Sequence, residues 1–137
     1  MRRDTLPVVA ESYRLAQDLI PAIDRMPRGL RSILGGELLR ELVGLSACLH
    51  EASLHGTRAD ALRRADVHLT RTRVVVRMAF DQHALSAGIY ETACGRADEV
   101  GKMLGGWLRS VSPHRTSPGK DSGAPPSGRT GEAGSSS

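Results

Sequence analysis

Apolar residues recur along most of this chain at intervals of three and four, the spacing that places them on one side of an α-helix. Four such segments are separated by residues that begin or end helices. Pro7 lies in the first turn of the first segment, where its missing N–H is harmless, and Ser86 is placed to cap the fourth. The predicted helices start near Leu6, Leu30, Thr57 and Ser86 and end near Pro27, Leu54, Gln82 and Val111.

Boundaries in the middle of the chain are also marked. Gly56 is a typical residue after a helix C-terminus, and Thr57 is a typical N-cap, supported by Asp60 three residues later. Pro21 predicts a kink or a loosened turn within the first helix. Because only a few residues connect the long helices, neighbouring helices must run antiparallel. The prediction is an all-α, antiparallel up-down four-helix bundle, since no segment has the pattern of a strand.

The apolar face of each helix predicts the core of the bundle. Aromatic residues make up only 3% of the chain, so aliphatic side chains must fill this core. On the first helix the predicted core residues are Val9, Tyr13, Ala16, Ile20 and Ile23. On the second they are Leu34, Leu38, Leu42, Leu45, Leu49 and Ala52. On the third they are Leu62, Ala65, Leu69, Thr72, Val76, Ala79 and Phe80.

The third helix has a second apolar stripe on the side opposite its core face. Val67, Val74 and Met78 fall on this side, where a bundle that stays monomeric favours charged residues. A second stripe of this kind is usually buried by another molecule. We therefore predict a subunit or partner interface at these three residues. The alternative is that they are scattered apolar residues on an ordinary surface.

The basic charge of the protein is concentrated on the same helix. Six arginines and two aspartates lie between positions 58 and 77, whereas the rest of residues 1–111 has nearly balanced charge. Arginine side chains suit bidentate contacts with phosphate groups, so this helix is a candidate nucleic-acid surface. The alternative is a solvated face with ion pairs such as Asp60 with Arg64. The strongest candidates for phosphate contact are Arg63, Arg64, Arg71, Arg73 and Arg77.

The C-terminal part of the chain has a different composition. Residues 112–137 are rich in Ser, Gly and Pro and contain no large apolar side chain, so they are predicted to be a disordered, solvated tail after a domain at 1–111. No window of the sequence resembles a membrane span or a signal peptide, which predicts a cytoplasmic protein. Cys48 and Cys94 have no metal-binding spacing and are predicted to be buried, reduced thiols.

The segment "MLGGWLRS" near the end of the fourth helix contains the only tryptophan of the chain. Gly105 and Gly106 precede it, although each glycine within a helix costs about 0.5–1 kcal/mol relative to alanine. We predict that these glycines allow a neighbouring helix, of another subunit or of the same bundle, to approach closely on one side while Trp107 and Leu104 fill the core side. The alternative is a frayed helix end, where glycine costs little.

No catalytic or cofactor-binding pattern is present in the sequence. The histidines at 50, 55, 68 and 83 lack the spacing of metal ligands, and the paired glycines of "LGGEL" and "LGGWL" are too few for a phosphate loop. No set of serine, histidine and aspartate or of cysteine and histidine suggests a nucleophile. The sequence therefore predicts a protein that is not an enzyme and that requires neither a metal nor a cofactor.

Several motifs nevertheless point to a family. They are the helix start "LPVV", the proline-containing "LIPAIDRMPR", "RSILGGEL" and the terminal "GKMLGGWL". Over residues 5–111 the chain resembles a family of four-helix bundles. This family holds the accessory variability determinant (Avd) of diversity-generating retroelements and the proteins encoded by intervening sequences in bacterial 23S ribosomal RNA genes.

This resemblance implies a homopentameric barrel that binds RNA and DNA through basic residues and associates with the reverse transcriptase of the retroelement. That enzyme copies a template repeat with errors at adenines and so diversifies a target gene. In this setting the second stripe of the third helix is a natural subunit contact and its arginines are a natural phosphate surface. Other basic residues match positions of the family loosely, namely Arg28, Arg31, Lys102 and Arg109.

Two functions are therefore expected. The first is a non-catalytic accessory protein that holds the reverse transcriptase close to its template RNA or product DNA. The second is a structural or protein-binding bundle of the ribosomal intervening-sequence type, without affinity for nucleic acid. A gene beside a reverse transcriptase and its paired repeats favours the first function, and a gene within a ribosomal RNA gene favours the second.

Overall fold

The computed structural model describes residues 6–54 and 58–111, and these form four long helices. Helix α1 covers Leu6–Asp24, α2 covers Gly36–Leu54, α3 covers Arg58–Asp81 and α4 covers Ala87–Val111. A single α-helical turn at Arg28–Leu30 and a π-helical turn at Arg31–Gly35 lead directly into α2. The described residues contain no β-strand, so the prediction of an all-α four-helix protein is confirmed.

The helix boundaries agree closely with the predicted ones where the structure describes them. The predicted cap of α4 is confirmed, because the backbone N–H of Ile89 donates to Ser86 Oγ at 3.2 Å. Helix α1 continues through Pro21 and ends at Asp24, two residues before Met26 leaves the helical region. The predicted boundary residues Gly56 and Thr57, like the predicted tail at 112–137, lie outside the described residues.

Helix α3 ends in a Schellman motif, the common arrangement that satisfies the last carbonyl groups of a helix. Ala84 N–H donates to Ala79 O at 2.8 Å, and His83 N–H donates to Phe80 O at 2.9 Å. This motif places His83 in the left-handed region with φ of 61°. Glycine is the usual residue at this position because it lacks the Cβ atom that crowds the backbone there.

The core is aliphatic, as predicted, and α2 and α3 supply most of its centre. The predicted faces of these two helices are buried, except that Leu34 and Phe80 are only half-buried. Phe80 stacks on Tyr90 of α4 with ring centroids 4.1 Å apart and planes 9° from parallel. Trp107 fills the core side of α4 as predicted, with 8% of its surface exposed.

The predicted core face of α1 is partly wrong. Tyr13 and Ile20 are both exposed, whereas the predicted residue Val9 is buried. The core is filled from the neighbouring stripe of α1, which contains Val8, Leu15, Leu19 and Ala22, and from Met26 just after the helix. Helix α1 has two apolar stripes, and the polar residue Ser12 interrupts the one that faces the core. This serine is buried, donates to Val9 O at 2.8 Å and lies 3.0 Å from Ser46 Oγ of α2.

The π-helical turn before α2 packs closely against α1. A Cβ atom at Gly35 would lie 2.8 Å from Ile23 Cγ2, closer than side-chain carbons approach each other. Gly35 is buried at this contact, so the glycine in "SILGG" is needed for the two segments to touch. This close approach gives one motif of the sequence a physical role in the fold.

Both cysteines are free thiols. Cys48 is buried as predicted, but Cys94 is only half-buried, so that part of the prediction is wrong. Burial raises the pKa of the Cys48 thiol, although nearby Arg64 acts in the opposite direction. Among the residues that the structure describes, no helix is both long enough and apolar enough to cross a membrane.

Candidate nucleic-acid and subunit interfaces

The predicted phosphate-binding arginines of α3 are all exposed, but most of them already contact carboxylates. On the side facing α2, Arg64 donates to Glu51 Oε2 at 2.7 Å and to Asp60 Oδ2 at 3.2 Å. Hydrogen bonds with these two carboxylates raise the pKa of Arg64 above its ordinary value. The pair of Asp60 with Arg64, considered as the alternative to phosphate binding, is therefore present.

On the side facing α4, Arg73 is held in place by two acceptors. It donates to Asp98 Oδ1 at 2.9 Å and to Ala97 O at 3.0 Å. Arg77 donates to both carboxylate oxygens of Asp81, one turn further along α3, at 3.0 and 3.2 Å. Arg63, by contrast, has no carboxylate within ion-pair distance among the described residues. A phosphate group that binds Arg64, Arg73 or Arg77 must therefore displace a carboxylate, whereas one that binds Arg63 need not.

Arg71 differs from the other four because its partner is buried. Its Nε donates to Glu41 Oε2 at 3.1 Å, and Glu41 has only 5% of its surface exposed. His68 Nδ1 lies 2.7 Å from the other carboxylate oxygen and must be the donor, since an ionised carboxylate only accepts. Exposed ion pairs contribute about 0–1 kcal/mol, whereas losing one partner of a buried charge costs much more. Arg71 is therefore part of the α2–α3 contact as well as of the basic surface.

The Glu41 site also explains a glycine in α2. A Cβ atom at Gly44 would lie 2.5 to 2.7 Å from three atoms of the His68 ring, so the ring rests directly on the helix backbone. Burial alone would raise the pKa of Glu41, but hydrogen bonds, with that from His68 the largest, outweigh it and lower the pKa below 4.5. Glu41 is therefore an ionised carboxylate at the interface of α2 with α3.

Of the two basic candidates on α4, Lys102 lines a shallow surface groove together with Arg73 of α3. Lys102 Nζ is 3.6 Å from Glu99 Oε2, and both side chains are exposed. The guanidinium of Arg109 lies beside Gly105 and Gly106, 3.5 and 3.9 Å from where their Cβ atoms would be. No other helix of the described chain comes within 4 Å of those positions. The two glycines therefore do not serve a close helix contact within the described part of one chain.

Trp107 has an unusual polar environment. Its side chain is buried, and its Nε1–H has no acceptor in the part of the chain that the structure describes. Buried donors are normally paired, and the net cost of an unpaired one is about 1–3 kcal/mol. The LGGWL segment thus combines an unpaired buried donor with two glycines on which no other helix of the described chain packs. The sequence alone did not reveal either feature.

The second apolar stripe of α3 is exposed in the single chain. Val67, Val74 and Met78 have 48–52% of their surfaces exposed. We call these three residues the α3 ridge. An interface residue must be exposed in the isolated chain, so the ridge is available for the predicted contact.

Two further surface features were not predicted as sites from the sequence, although Arg28 and Arg31 in the second of them match positions of the family loosely. One is an apolar groove between α1 and α2 that includes Tyr13 and Ile20. The other is the turn between these helices, where Arg25, Arg28 and Arg31 are exposed and have no carboxylate partner among the described residues. Arg31 donates instead to the carbonyl oxygen of Asp24 at 3.2 Å. In the sequence, the second apolar stripe of α1 indicates the groove, and three arginines within seven residues indicate the charged turn.

This geometry defines a class of protein, namely a small helical bundle whose arginine-rich helix and uncovered apolar faces suit association with other macromolecules. The model of the family described as bAvd-like matches residues 8–111. The chain therefore belongs to the bAvd-like family, and the resemblance seen in the sequence motifs is confirmed. It is an Avd-like accessory protein at the level of the family. No curated protein matches the chain by sequence.

Proposed function

We propose that this protein is a non-catalytic accessory protein of a diversity-generating retroelement that acts in the cytoplasm as a homo-oligomer. It binds the reverse transcriptase together with template RNA or complementary DNA, and it supports retrohoming with mutation. The number of five subunits is proposed from the resemblance to the family alone. The observation that carries the proposal is the arginine-rich face of α3 in a chain that belongs to the bAvd-like family.

Contacts between the helices support the antiparallel bundle within this proposal. Arg64 contacts Glu51 across α2 and α3, and further along α3 Arg71 contacts Glu41, ten residues earlier in α2. Moving forward along one helix therefore means moving backward along the next. The domain at 1–111 and the solvated tail at 112–137 belong to the same proposal.

The contribution of the protein is physical rather than chemical. Bound to both the polymerase and its template, an oligomer raises the effective concentration of each near the other. Guanidinium groups that neutralise phosphates release counterions, which favours binding at low salt. Contacts with carboxylates at an exposed surface are weak enough for phosphates to replace them. We assign this exchange to Arg64, Arg73 and Arg77. Arg63 would contact phosphate without displacing a carboxylate, and Lys102 and Arg109 would add charge from α4.

The subunit contact in this proposal involves the α3 ridge and Gly105 with Gly106. No other helix of the described chain packs on these glycines. In this proposal a helix of a second copy therefore packs there.

The test compares two double variants that each remove two exposed arginines. Arg73→Gln with Arg77→Gln removes charges from α3, and Arg14→Gln with Arg40→Gln removes charges from α1 and α2. Binding to double-stranded DNA and to RNA is measured at several salt concentrations. If both α3 residues contact phosphates, the slope of log K against log salt for DNA falls by about 2 only in the first variant. Equal slopes for the two variants exclude Arg73 and Arg77 from the site.

A structural or protein-binding bundle without affinity for nucleic acid is the second candidate. The ion pairs of Arg64, Arg73 and Arg77 favour it, since they satisfy guanidinium groups within the chain. Absence of binding to RNA and DNA at low salt, with self-association retained, would select this function. A gene located within a ribosomal RNA gene would point the same way.

A further inference from the structure

The groove between α1 and α2 has a volume of about 420 Å³. Four of its large apolar side chains are 42–60% exposed, namely Tyr13, Ile20, Leu39 and Val43. No side chain of Asp, Glu, Lys or Arg lines it, and its remaining lining residues are Ala16, Leu42, Ser46, Ala47 and His50. An uncharged, apolar groove along two helices is suited to an apolar helix and unsuited to phosphate groups.

The C-terminal segment of the chain has no side chains that could fill this groove. Residues 112–137 contain no Leu, Ile, Val, Met, Phe, Tyr or Trp. Contiguous exposed apolar patches on a small protein usually mark a contact with another molecule. The occupant is therefore expected to be a helix from another chain.

The α3 ridge matches the groove in length, and its three side chains match it in chemistry. Arg71 lies between Val67 and Val74 on the same face, and its guanidinium is drawn towards α2 by Glu41. Val67, Val74 and Met78 follow one another at intervals of seven and four residues and span about 16 Å at 1.5 Å per residue. The α2 wall of the groove runs from Leu39 to His50, which is also an interval of eleven positions and therefore also about 16 Å. A helix that binds in an apolar groove contacts it through apolar side chains at intervals of this kind.

We propose that the α3 ridge of one copy packs into the α1–α2 groove of a second copy. The ridge and the groove lie on different helices, so the contact joins two different surfaces, head to tail. A copy that fills the groove of its neighbour still has an open groove of its own. Contacts of this type continue until a ring closes, or form a filament if it does not. The inference rests on the proposed self-association for the identity of the occupant, and it adds the two surfaces and their polarity.

Two single substitutions separate the two halves of this contact. Val43→Asp places a charge in the groove, and Val74→Asp places one on the ridge. Both positions are exposed in the single chain, so the fold should tolerate the change, which circular dichroism checks. The molar mass of each variant is measured by light scattering during size-exclusion chromatography. We expect each variant to be a monomer when alone, because each lacks one half of the contact.

Mixing the two variants provides the decisive measurement. The intact ridge of Val43→Asp fits the intact groove of Val74→Asp, so an equimolar mixture should form dimers and nothing larger. Ile33→Asp is the matched control, since Ile33 is 67% exposed and belongs to neither surface. It should assemble as the unaltered chain does.

The outcomes distinguish this inference from the proposed function. If the unaltered chain assembles and Val43→Asp assembles equally well, the groove is not the contact, while self-association stands. A mixture that remains monomeric also refutes the head-to-tail contact. An unaltered chain that is itself a monomer refutes the proposed self-association and leaves the groove to a different protein.

A second measurement is independent of the effect of a buried charge. Val43→Cys and Val74→Cys are prepared with Cys94→Ser, since Cys94 is the more accessible native thiol. A short bismaleimide should link the two variants to each other in the mixture. Replacing Val43→Cys by Ile33→Cys should abolish the link. Equal linking of both pairs would refute the assignment of the groove.

Discussion

Replacing Gly44 by alanine tests whether the His68 ring is held on the backbone of α2 by Glu41. In an ordinary helix this substitution stabilises by about 1 kcal/mol, because alanine has the higher helix propensity. Here the new Cβ atom would lie 2.5 to 2.7 Å from the ring, so the ring must move away. Movement breaks its 2.7 Å hydrogen bond to the buried carboxylate of Glu41. A hydrogen bond to a charged group contributes about 1.5–3 kcal/mol, so we expect a net loss of about 0.5–2 kcal/mol after the gain in helix propensity.

The sign of the effect should reverse when the ring is removed. In a chain that already carries His68→Ala, nothing opposes the new methyl group, and Gly44→Ala should stabilise by about 1 kcal/mol. The assay is urea denaturation of the four chains of this double-mutant cycle, followed by circular dichroism at a fixed protein concentration. If Gly44→Ala has the same effect with and without His68, the ring does not depend on the glycine and the interpretation of the site is wrong.

Two other predictions concern stability. Because the pKa of Glu41 is lowered in the folded chain, its contribution is present above pH 4.5 and is lost as the pH falls through the lowered value. The difference in free energy of unfolding between the unaltered chain and Glu41→Gln should therefore shrink below pH 4.5, and a constant difference would contradict the pKa direction. His83→Gly should raise the free energy of unfolding by about 0.5–1 kcal/mol, since φ is 61° there. His83→Ala keeps the Cβ atom and should give no such gain, and urea denaturation of both variants measures the difference.

The long helices were predictable because each contains several turns of regular spacing and ends at a residue with a clear role. Ser86 shows this, since its hydroxyl caps α4 as predicted. The core face of α1 was not predictable, because both of its stripes are apolar and only packing decides between them. Ser12 lies in the inner stripe and is tolerated there through its hydrogen bonds, which depend on a residue of another helix.

The candidate site shows a similar division. The exposure of the α3 arginines follows from their position on the helix, but their partners do not. Arg73 contacts Asp98, twenty-five residues away, and Arg71 contacts Glu41, thirty residues away. Which arginines are engaged in ion pairs and which are free is therefore a property of the packed bundle. The grouping of charges along one helix indicated where the basic surface lies. It did not indicate which of its arginines are already paired with carboxylates.

The π-helical turn at Arg31–Gly35 has a consequence for how this segment tolerates changes in length. A π-turn holds one residue more than the corresponding α-turn, so deleting a single residue such as Ser32 would convert the whole segment into plain α-helix. Leu38 and the rest of α2 would keep their places against the core. The arginines before the turn would also keep their directions around the helix axis, because a π-turn takes up its extra residue without changing the register of either flank. The chain can thus lose one codon at this turn and keep the orientation of the segments on both sides of it.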